Sequence, residues 1–265
     1  MLAQERQDRV LVELRRAGSV RVRELVEALG VSEMTVRRDL DELRVRGLLE
    51  KVHGGAIRRQ DRTADEPGFA AKSDREQHEK HAIARRAMQM VGPGAAIGLT
   101  AGTTTFALAK LLVEVPALTV VTNSVRVADV FHASGRTDTT VVLVGGVRTR
   151  SEALVGPVAL TTLRSLHVEL LFMGVHGMDE DAGFTTPNLL EAETNRAFLR
   201  AAQRCVVLAD HTKWGVRALS SISALHQAEC VITDDRLGEA ATEALTSHTS
   251  VLHVTTSRPH AVEVG

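Results

Sequence analysis

Short apolar segments and helical segments alternate from about residue 92 almost to the end of this 265-residue sequence. The apolar segments are rich in β-branched residues, as buried strands are. Strands that alternate with helices pack into a largely parallel sheet with helices on both faces. The pattern predicts an α/β domain over residues 75–257. The predicted strands are AAIGL, LTVVT, TVVLVGG, VELLFMG, CVVLAD, CVITD and VLHVT, and the predicted helices span 103–114, 125–133, 157–166, 187–203 and 236–246.

A different pattern occupies residues 1–57. A first helix ends at Gly18, a short second helix ends at Gly30, and a longer third helix begins after Ser32, which is a good N-cap. A short helix, a tight turn and a longer helix have the spacing of a helix-turn-helix motif. The segment LLEKVHGGA then predicts a two-stranded ribbon placed like a wing. Residues 58–74 are polar and aperiodic, which predicts a linker.

The third helix of this region has two distinct faces. Rotation of about 100° per residue places Val36, Leu40 and Leu43 in one narrow sector, which we expect to be buried. The opposite, exposed side carries arginines that can bind guanine bidentately or clamp a phosphate. The alternative is an ordinary solvated helix face. The candidate DNA-contacting residues are Ser32, Met34, Thr35, Arg37 and Arg38 on the helix, with Lys51 and His53 on the ribbon.

Composition narrows the class of partner. The net charge is −1, but the first 60 residues carry 13 Lys and Arg against 10 Asp and Glu. Aromatic residues make up only 3% of the chain, which disfavours the base stacking used by single-strand binders and favours duplex DNA. No apolar run is long enough to predict a membrane span. The charged start and two cysteines inside apolar runs favour a reducing cytoplasm without disulfides.

The segment AAIGLTAGTTTFALAK predicts a strand, a Gly/Thr loop and a helix. Gly102 lets the backbone approach a ligand closely, and Thr103, Thr104 and Thr105 add hydroxyl donors at the helix N-terminus. Such a terminus favours an anion through its unpaired amides and its dipole. An ordinary strand-to-helix turn of an α/β fold is the alternative.

Other polar groups follow further predicted strands. Ligands of open α/β sheets bind outside the carboxyl ends of the strands, so these groups are expected at one rim together with the Gly/Thr loop. The set suits a small anionic polyol, with Lys213 as the charge partner of a phosphate; an ordinary loop lysine is the alternative. The rim candidates are Asn123, Gly145, Gly146, Asp210 and Lys213.

The N-terminal segment RVRELVEALGVSEMTVRRDLDELRVRGLLEKVHGGA resembles the DNA-binding domain of the DeoR family of bacterial transcriptional regulators. Ser32, Thr35, the run from Arg37 to Leu40, Leu43, Gly47 and the run from His53 to Ala56 carry the resemblance. Glu50 departs from the family, which has more positive charge before the HGGA segment. The resemblance implies a winged helix-turn-helix domain that binds double-stranded operator DNA.

The C-terminal half is similar to the sensor domain of the same family, which shares its fold with ribose-5-phosphate isomerase. The similarity implies a repressor of sugar-metabolism genes that responds to a phosphorylated sugar, with Glu191 as a further effector ligand. Thr100, Glu169 and Asn195 depart from the family's aspartate, aspartate and lysine. The matching residues are 101–105, 122–123, 145–146, Gly156, Gly183, 185–186, 191–192, 208–210 and Lys213.

Operators are usually bound by two-fold dimers, so we expect a homo-oligomer, either a dimer or a tetramer. Two alternatives remain open. One is a sugar-phosphate isomerase with an accessory domain, although the acids 179–181 fall in a predicted solvated turn. The other is a DNA-binding protein that has lost its ligand response. We expect no metal or other cofactor, because His176 and His211 lack a third ligand at suitable spacing.

Overall fold

The structure, a computed structural model, describes residues 3–17, 19–45, 48–52, 54–57, 68–249 and 251–255. The chain divides into two compact units, residues 1–62 and residues 63–265. The first unit corresponds to the predicted DNA-binding region, and the second contains the predicted α/β region.

In its described part, the first unit contains three helices and one antiparallel sheet. Gly30 adopts a left-handed conformation with φ 65° and ends the second helix, as its position predicts. The sheet has the strand order β1-β3-β2, so one more strand joins the predicted ribbon. The helices are α1 (Ala3–Ala17), α2 (Val22–Leu29) and α3 (Glu33–Val45), and the strands are β1 (Ser19–Arg21), β2 (Glu50–Val52) and β3 (Gly55–Ile57).

The extra strand β1 explains why Gly55 of the HGGA segment has to be a glycine. Gly55 pairs with Arg21 of β1, and a Cβ atom at Gly55 would lie 2.1 Å from the carbonyl oxygen of Val20. Any larger residue would push β1 away from β3. The core beneath the sheet contains Val10, Leu14, Val20, Val22, Leu25, Leu29, Val36, Leu40, Leu43, Leu49 and Ala56.

The second unit is built on a seven-stranded parallel sheet with the order β15-β14-β12-β9-β4-β5-β6. All seven predicted strands are in this sheet, which confirms the predicted α/β architecture. The strands are β4 (Ala96–Leu99), β5 (Thr119–Thr122), β6 (Thr140–Leu143), β9 (Val168–Gly174), β12 (Ala202–Leu208), β14 (Cys230–Asp234) and β15 (Val251–Thr255).

Helices cover both faces of this sheet. On β9, Leu170 and Phe172 join a core that includes Ile83 and Leu108, whereas Leu171 joins the opposite core. This alternation is expected for a strand buried on both faces. The helices of the unit are α4 (Phe69–Ser73), α5 (Gln77–Met88), α6 (Thr103–Leu112), α7 (Val125–Ala133), α8 (Pro157–Leu163), α9 (Leu189–Ala201) and α10 (Glu239–His248).

Three features of the second unit differ from the expectation. Part of the predicted linker 58–74 forms helix α4, whereas residues 58–67 lie outside the described part. A small ribbon joins β7 (Val147–Arg148) and β8 (Leu154–Val155), and a second sheet joins β10 (Gly177–Asp179), β11 (Gly183–Thr186) and β13 (Ser220–Ser223). These strands are too short or too polar to give a hydrophobic period.

The two cysteines are both buried and free of disulfide bonds. Burial raises the pKa of the Cys205 thiol to about 12, so the group stays protonated at neutral pH. None of the helices in the described residues is both long and apolar enough to cross a membrane.

Candidate nucleic-acid interface and ligand cavity

Helix α3 turns one apolar face to the core of the first unit and one charged face outward. Val36, Leu40 and Leu43 are fully buried, whereas Met34 is 81% exposed. The side chain of Arg38 is also 81% exposed. The predicted orientation of this helix is therefore observed, and its outward face is free of contacts with the core of the unit.

Ser32 caps the start of α3. Its Oγ accepts a hydrogen bond from the backbone N–H of Thr35 at 3.2 Å, and the two hydroxyl oxygens lie 2.9 Å apart. The cap satisfies one of the amides that a helix leaves without an intrahelical partner at its first turn. The remaining amides and the two hydroxyls form a group of donors suited to a DNA phosphate.

Both arginines of the exposed face already have acidic partners on α3. Arg37 Nη2 lies 2.6 Å from Glu33 Oε1, and Arg38 Nε lies 3.2 Å from Glu42 Oε1. Exposed pairs at this spacing contribute little to stability. These weak pairs orient the two guanidinium groups. Because breaking them costs little free energy, a phosphate or a guanine can replace the carboxylates.

The wing strand β2 is tied to the same helix by Lys51. Its Nζ donates to both carboxylate oxygens of Asp41, at 2.8 and 2.9 Å. This hydrogen bond holds the pKa of Asp41 below its ordinary value. Lys51 is therefore placed beside α3, as a wing residue would be. His53, the other predicted wing residue, lies outside the described residues.

A buried ion pair that the sequence analysis did not identify fixes α3 against α1. Arg6 Nη2 donates to Asp39 Oδ1 at 2.9 Å, and Gln7 Nε2 donates to Glu42 Oε2 at 2.7 Å. Asp39 is only 2% exposed. The sequence does contain a signal for this pair, because the helical period places the acidic residue Asp39 beside the buried apolar residues of α3. The pair sets the orientation in which α3 presents its outer face.

The second unit has a small cavity at the carboxyl ends of its neighbouring central strands β12, β9 and β4. Gly102 and Thr103 begin α6 just after β4, Gly174 ends β9 and Leu208 ends β12. The free volume is about 60 Å³, which is room for about two water molecules. Its polar lining is Lys72, Thr103, Thr104, Ser151, His176, Thr186, Glu191, Asn195 and Lys213.

The lining favours a small anion. The first turn of α6 supplies backbone amides without intrahelical partners, and the positive end of the helix dipole lies there. Lys72 and Lys213 add two positive charges, against the single carboxylate of Glu191. A Cβ at Gly102 would lie 3.2 Å from Thr105 Oγ1 and 3.8 Å from Gly174 Cα, so a side chain would crowd this opening.

Glu191 is held in the cavity by hydroxyl groups. Thr149 Oγ1 donates to Glu191 Oε1 at 2.7 Å, Ser151 donates to the same oxygen, and Thr186 donates to Oε2 at 3.4 Å. Asn188 caps the start of α9 and accepts from the backbone N–H of Glu191 at 3.2 Å. The carboxylate is thus fixed as a hydrogen-bond acceptor, a role that suits the hydroxyl groups of a polyol.

Two predicted effector residues lie behind the cavity and support its walls. Thr105 Oγ1 donates to the carbonyl oxygen of Thr100 at 2.7 Å. Asn123 Oδ1 accepts from the backbone N–H of Ala101 at 2.8 Å, and its Nδ2 donates to the carbonyl oxygen of Leu154 at 3.2 Å. Both side chains therefore hold the Gly/Thr loop rather than line the cavity.

Three more predicted residues also lie away from the lining. Asp210 caps a short 3-10 turn and accepts from the backbone N–H of Thr212 at 3.1 Å. A Cβ at Gly146 would lie 2.4 Å from the carbonyl oxygen of Val155, and φ there is 118°, so glycine is needed for the β7–β8 ribbon. Gly145 precedes it in the same turn. The structure thus brings together Gly102, Thr103, Thr104, Glu191 and Lys213, and it adds Lys72, Ser151 and His176.

The three departures from the family have different locations. Thr100 is fully buried, and its Oγ1 accepts from the backbone N–H of Gly174 at 3.0 Å, joining β4 to β9. Glu169, the second residue of β9, lies at the amino end of that strand, away from the cavity, and accepts a hydrogen bond from the backbone N–H of Ala96. Asn195 lies in the cavity lining. Of the three departures, only Asn195 places a changed side chain in the cavity lining.

The two histidines considered as metal ligands have separate roles. His176 lines the cavity, whereas His211 Nδ1 lies 2.9 Å from Asp234 Oδ1. Burial by itself raises the pKa of Asp234, but the bonds from His211 outweigh it and leave that pKa lowered. In the part of the chain that the structure describes, no group of three His, Cys, Asp or Glu side chains can hold a metal ion.

Two family models match the chain, one on each unit. A DeoR-like helix-turn-helix domain matches residues 6–62, and a DeoR C terminal sensor domain matches residues 75–235. The chain belongs to the DeoR family. A DeoR-family relative, an uncharacterized HTH-type transcriptional regulator FruR of Bacillus subtilis, is 34% identical over 235 residues, which cover 88% of this chain and 92% of the relative.

Another DeoR-family relative is the glycerol-3-phosphate regulon repressor of Escherichia coli. It is 28% identical over 245 residues, which cover 92% of this chain and 96% of the relative. A solved D-ribose-5-phosphate isomerase in complex with phospho-erythronic acid is similar at a TM-score of 0.40 and 17% identity, over 54% of this chain and 55% of that one.

Membership of the DeoR family makes the chain a transcriptional regulator and overturns the isomerase alternative. The structure also places the acids considered for that alternative in surface ion pairs. Arg217 Nε lies 2.8 Å from Asp179 Oδ2, and Arg217 Nη2 lies 2.5 Å from Asp181 Oδ2. Neither carboxylate lines the cavity.

Proposed function

We propose that this protein is a repressor of sugar-metabolism genes whose affinity for operator DNA is controlled by a phosphorylated sugar. The observation that carries the proposal is the joint lining of one cavity by the N-terminus of α6, two lysines and Glu191. Amides and lysines suit a phosphate, and an anchored carboxylate suits sugar hydroxyls.

The outer face of α3 supports the DNA-binding part of the proposal. The second helix of a helix-turn-helix pair enters the major groove, and residues near its N-terminus contact base edges. Met34 and Arg38 are exposed there. Arg38 can bond two acceptors of a guanine, and Met34 can make apolar contact with a thymine methyl group. Ser32, Thr35, Arg37 and Lys51 are proposed to bind phosphates.

The chemistry of the relatives supports the effector class. The Escherichia coli relative is named for a regulon of glycerol 3-phosphate, a small phosphorylated polyol. With about 60 Å³ of free volume, the cavity can fully enclose such a ligand only by widening. We expect the regulator to act as a dimer or tetramer, because operators of such proteins are usually two-fold symmetric. We place it in the cytoplasm, where duplex DNA and sugar phosphates are both present.

The decisive experiment first identifies the operator sequence and then tests whether a phosphorylated sugar releases the protein from it. Purified protein is mixed with a random library of DNA duplexes, and the recovered sequence is footprinted with and without a panel of phosphorylated sugars. One member of the panel should weaken the footprint. The same compound should raise the melting temperature of the protein, because a ligand that binds only the folded state stabilises it.

Two lysine variants make this test specific. Lys213→Gln should abolish the response to the effector while operator binding without effector is retained. Lys110→Gln, near the other end of α6 and outside the cavity lining, should respond as the unmodified chain does. Operator binding that no phosphorylated sugar alters would favour a regulator without ligand control. The absence of any selected sequence would overturn the DNA-binding proposal.

A further inference from the structure

Helix α4 joins the ligand cavity to the chain segment that leads to the first unit. It is the first described element of the second unit and directly follows residues 58–67, which connect the two units in sequence. Although it has only five residues, Phe69 and Lys72 both line the cavity. A ligand in the cavity therefore touches the end of the connection to the DNA-binding unit.

The first turn of α4 is held on the body of the second unit by an aromatic contact, a cation–π contact and a backbone hydrogen bond. The ring of Phe69 packs edge-to-face on Phe106 of α6, with centroids 5.4 Å apart. The guanidinium carbon of Arg126 lies 5.7 Å from the Phe69 centroid. The backbone N–H of Phe69 donates to the carbonyl oxygen of Arg150 at 3.3 Å.

The end of α4 is held by Lys80, a buried residue of α5. Its Nζ donates to the carbonyl oxygen of Lys72 at 2.6 Å and to that of Arg75. Lys80 is only 6% exposed. Carbonyls at the end of a helix have no intrahelical partners, so this ammonium group caps α4. It fixes the backbone from which the side chain of Lys72 extends into the cavity.

Part of the remaining wall belongs to the sheet and its long helices. Ser151 and Lys213 lie in turns, but Ser151 donates to Glu191, and Asp210 caps the turn that holds Lys213. Gly174 and Leu208 belong to central strands, and Thr103 begins a ten-residue helix that packs on the core. Moving any of these would disrupt buried packing, which resists continuous deformation. With about 60 Å³ of free volume, the cavity admits a larger ligand most cheaply if α4 moves.

We propose that α4 is a ligand-operated latch. It opens to admit a phosphorylated ligand and closes again when Lys72 binds the phosphate opposite the N-terminus of α6, with Lys80 as the positioning residue. The inference rests on the proposed function, since it requires an anion in this cavity. Ligand binding then changes how firmly the start of the second unit is held, which is a differential contact that couples the cavity to the DNA-binding unit.

Amide hydrogen exchange of the full chain tests the latch, with inorganic phosphate as the probe at constant ionic strength. The reporters in α4 are the amide of Phe69, which donates to Arg150, and the amide of Lys72, which donates to Gly68. The reporters in α6 are the amides of Thr103 and Thr104. Phosphate should slow exchange in both groups. The factor should be about ten when phosphate is about ten times its Kd, because protection follows ligand saturation.

Three variants separate the latch from the anion site. Lys72→Gln should lose the phosphate-dependent protection of α4 and keep protection of the α6 amides. Lys72→Arg should restore protection of α4, because it restores the charge. Lys80→Met should make the Phe69 and Lys72 amides exchange faster without phosphate and weaken their response to it. Arg164→Gln, an exposed change just after α8 and outside the cavity lining, is the control and should match the unmodified chain.

Each outcome bears on one of the two proposals. Protection of the α6 amides alone in the unmodified chain would overturn the latch and leave the anion site standing. Protection of α4 alone would also overturn it, since the proposed phosphate contact bridges both elements. Absence of protection at both would reject an anion site in this cavity, and the latch would fall with it. Protection of both that survives in Lys72→Gln would exclude Lys72 as the contact.

Discussion

Arg37 and Glu33 form an exposed ion pair one helical turn apart on α3, with Arg37 Nη2 2.6 Å from Glu33 Oε1. Both side chains are more than half exposed, at 59% and 58%. A guanidinium group proposed to bind DNA thus has a carboxylate partner before DNA arrives. A phosphate that binds Arg37 through the same Nε and Nη2 donors competes with Glu33, so the pair weakens binding to DNA.

Glu33→Gln should therefore increase DNA affinity. An exposed pair is worth up to about 1 kcal/mol, so we expect affinity to rise about two- to fivefold, and the rise should be similar for operator and unrelated DNA. Binding should also depend more steeply on salt, because the DNA-facing side of α3 then carries one negative charge fewer and displaces more counterions from the DNA. Fluorescence anisotropy at several salt concentrations measures both effects. Glu27→Gln, an exposed change on α2, is the control, and equal affinities of the two variants would contradict the prediction.

Arg38→Ala should weaken binding to the operator while it leaves binding to unrelated DNA nearly unchanged, so it should reduce sequence discrimination. The loss of one bidentate contact with guanine costs about 1–3 kcal/mol at one position of the operator and little on unrelated DNA. Competition between operator and scrambled duplexes measures this ratio. Arg44→Ala, at the other end of α3, should weaken binding to both duplexes alike or leave it unchanged. Undiminished protection of the operator by Arg38→Ala would mean that α3 does not contact the bases.

The sequence predicted the central sheet because its strands are short runs of buried β-branched residues. The strand Cys230–Asp234, for example, is buried at every position. By contrast, Gly183–Thr186 and Ser220–Ser223 pair in the second sheet but are largely small or polar. They are stabilised by pairing with distant strands, which leaves no local period to detect.

The cavity was predictable in position but not in its exact lining. Parallel strands bring their carboxyl ends together, so Gly102 and Lys213 were correctly expected at one rim. Asn123 follows a strand in the same way, but its amide bonds to Ala101 and Leu154. Strand order cannot distinguish a side chain that lines a cavity from one that supports its wall. Lys72 was missed because it lies in a polar segment without periodicity.

Asn123→Ala should lower stability more than a substitution in the cavity lining would. Removal of the amide leaves the half-buried N–H of Ala101 and the carbonyl of Leu154 without this partner, at a cost of about 1–3 kcal/mol in the free energy of unfolding. Urea unfolding measures this change. Thr103→Ala, which alters a hydroxyl of the lining, is the comparison. If Asn123→Ala unfolds at the same urea midpoint as the unmodified chain, the supporting role assigned to Asn123 is wrong.

Lys80 should make stability rise with pH in the alkaline range. Burial lowers the pKa of Lys80 from 10.5 to about 8 in the folded chain, whereas the unfolded chain keeps a pKa of about 10.4. Between these values the unfolded chain binds more protons at this site than the folded chain does, so the free energy of unfolding increases with pH. The full contribution is on the order of 3 kcal/mol.

Cys205 acts in the opposite direction above about pH 9, because its raised pKa of about 12 keeps a proton that the unfolded chain releases. The measurement is therefore the difference in the free energy of unfolding between the unmodified chain and Lys80→Met, in which the contribution of Cys205 cancels. As the pH rises from about 8 to 10, the free energy of unfolding of the unmodified chain should increase relative to that of Lys80→Met. Lys110→Met removes the charge of an exposed lysine and should show no such shift. A difference that stays constant for Lys80→Met would mean that Lys80 titrates as an ordinary surface lysine does.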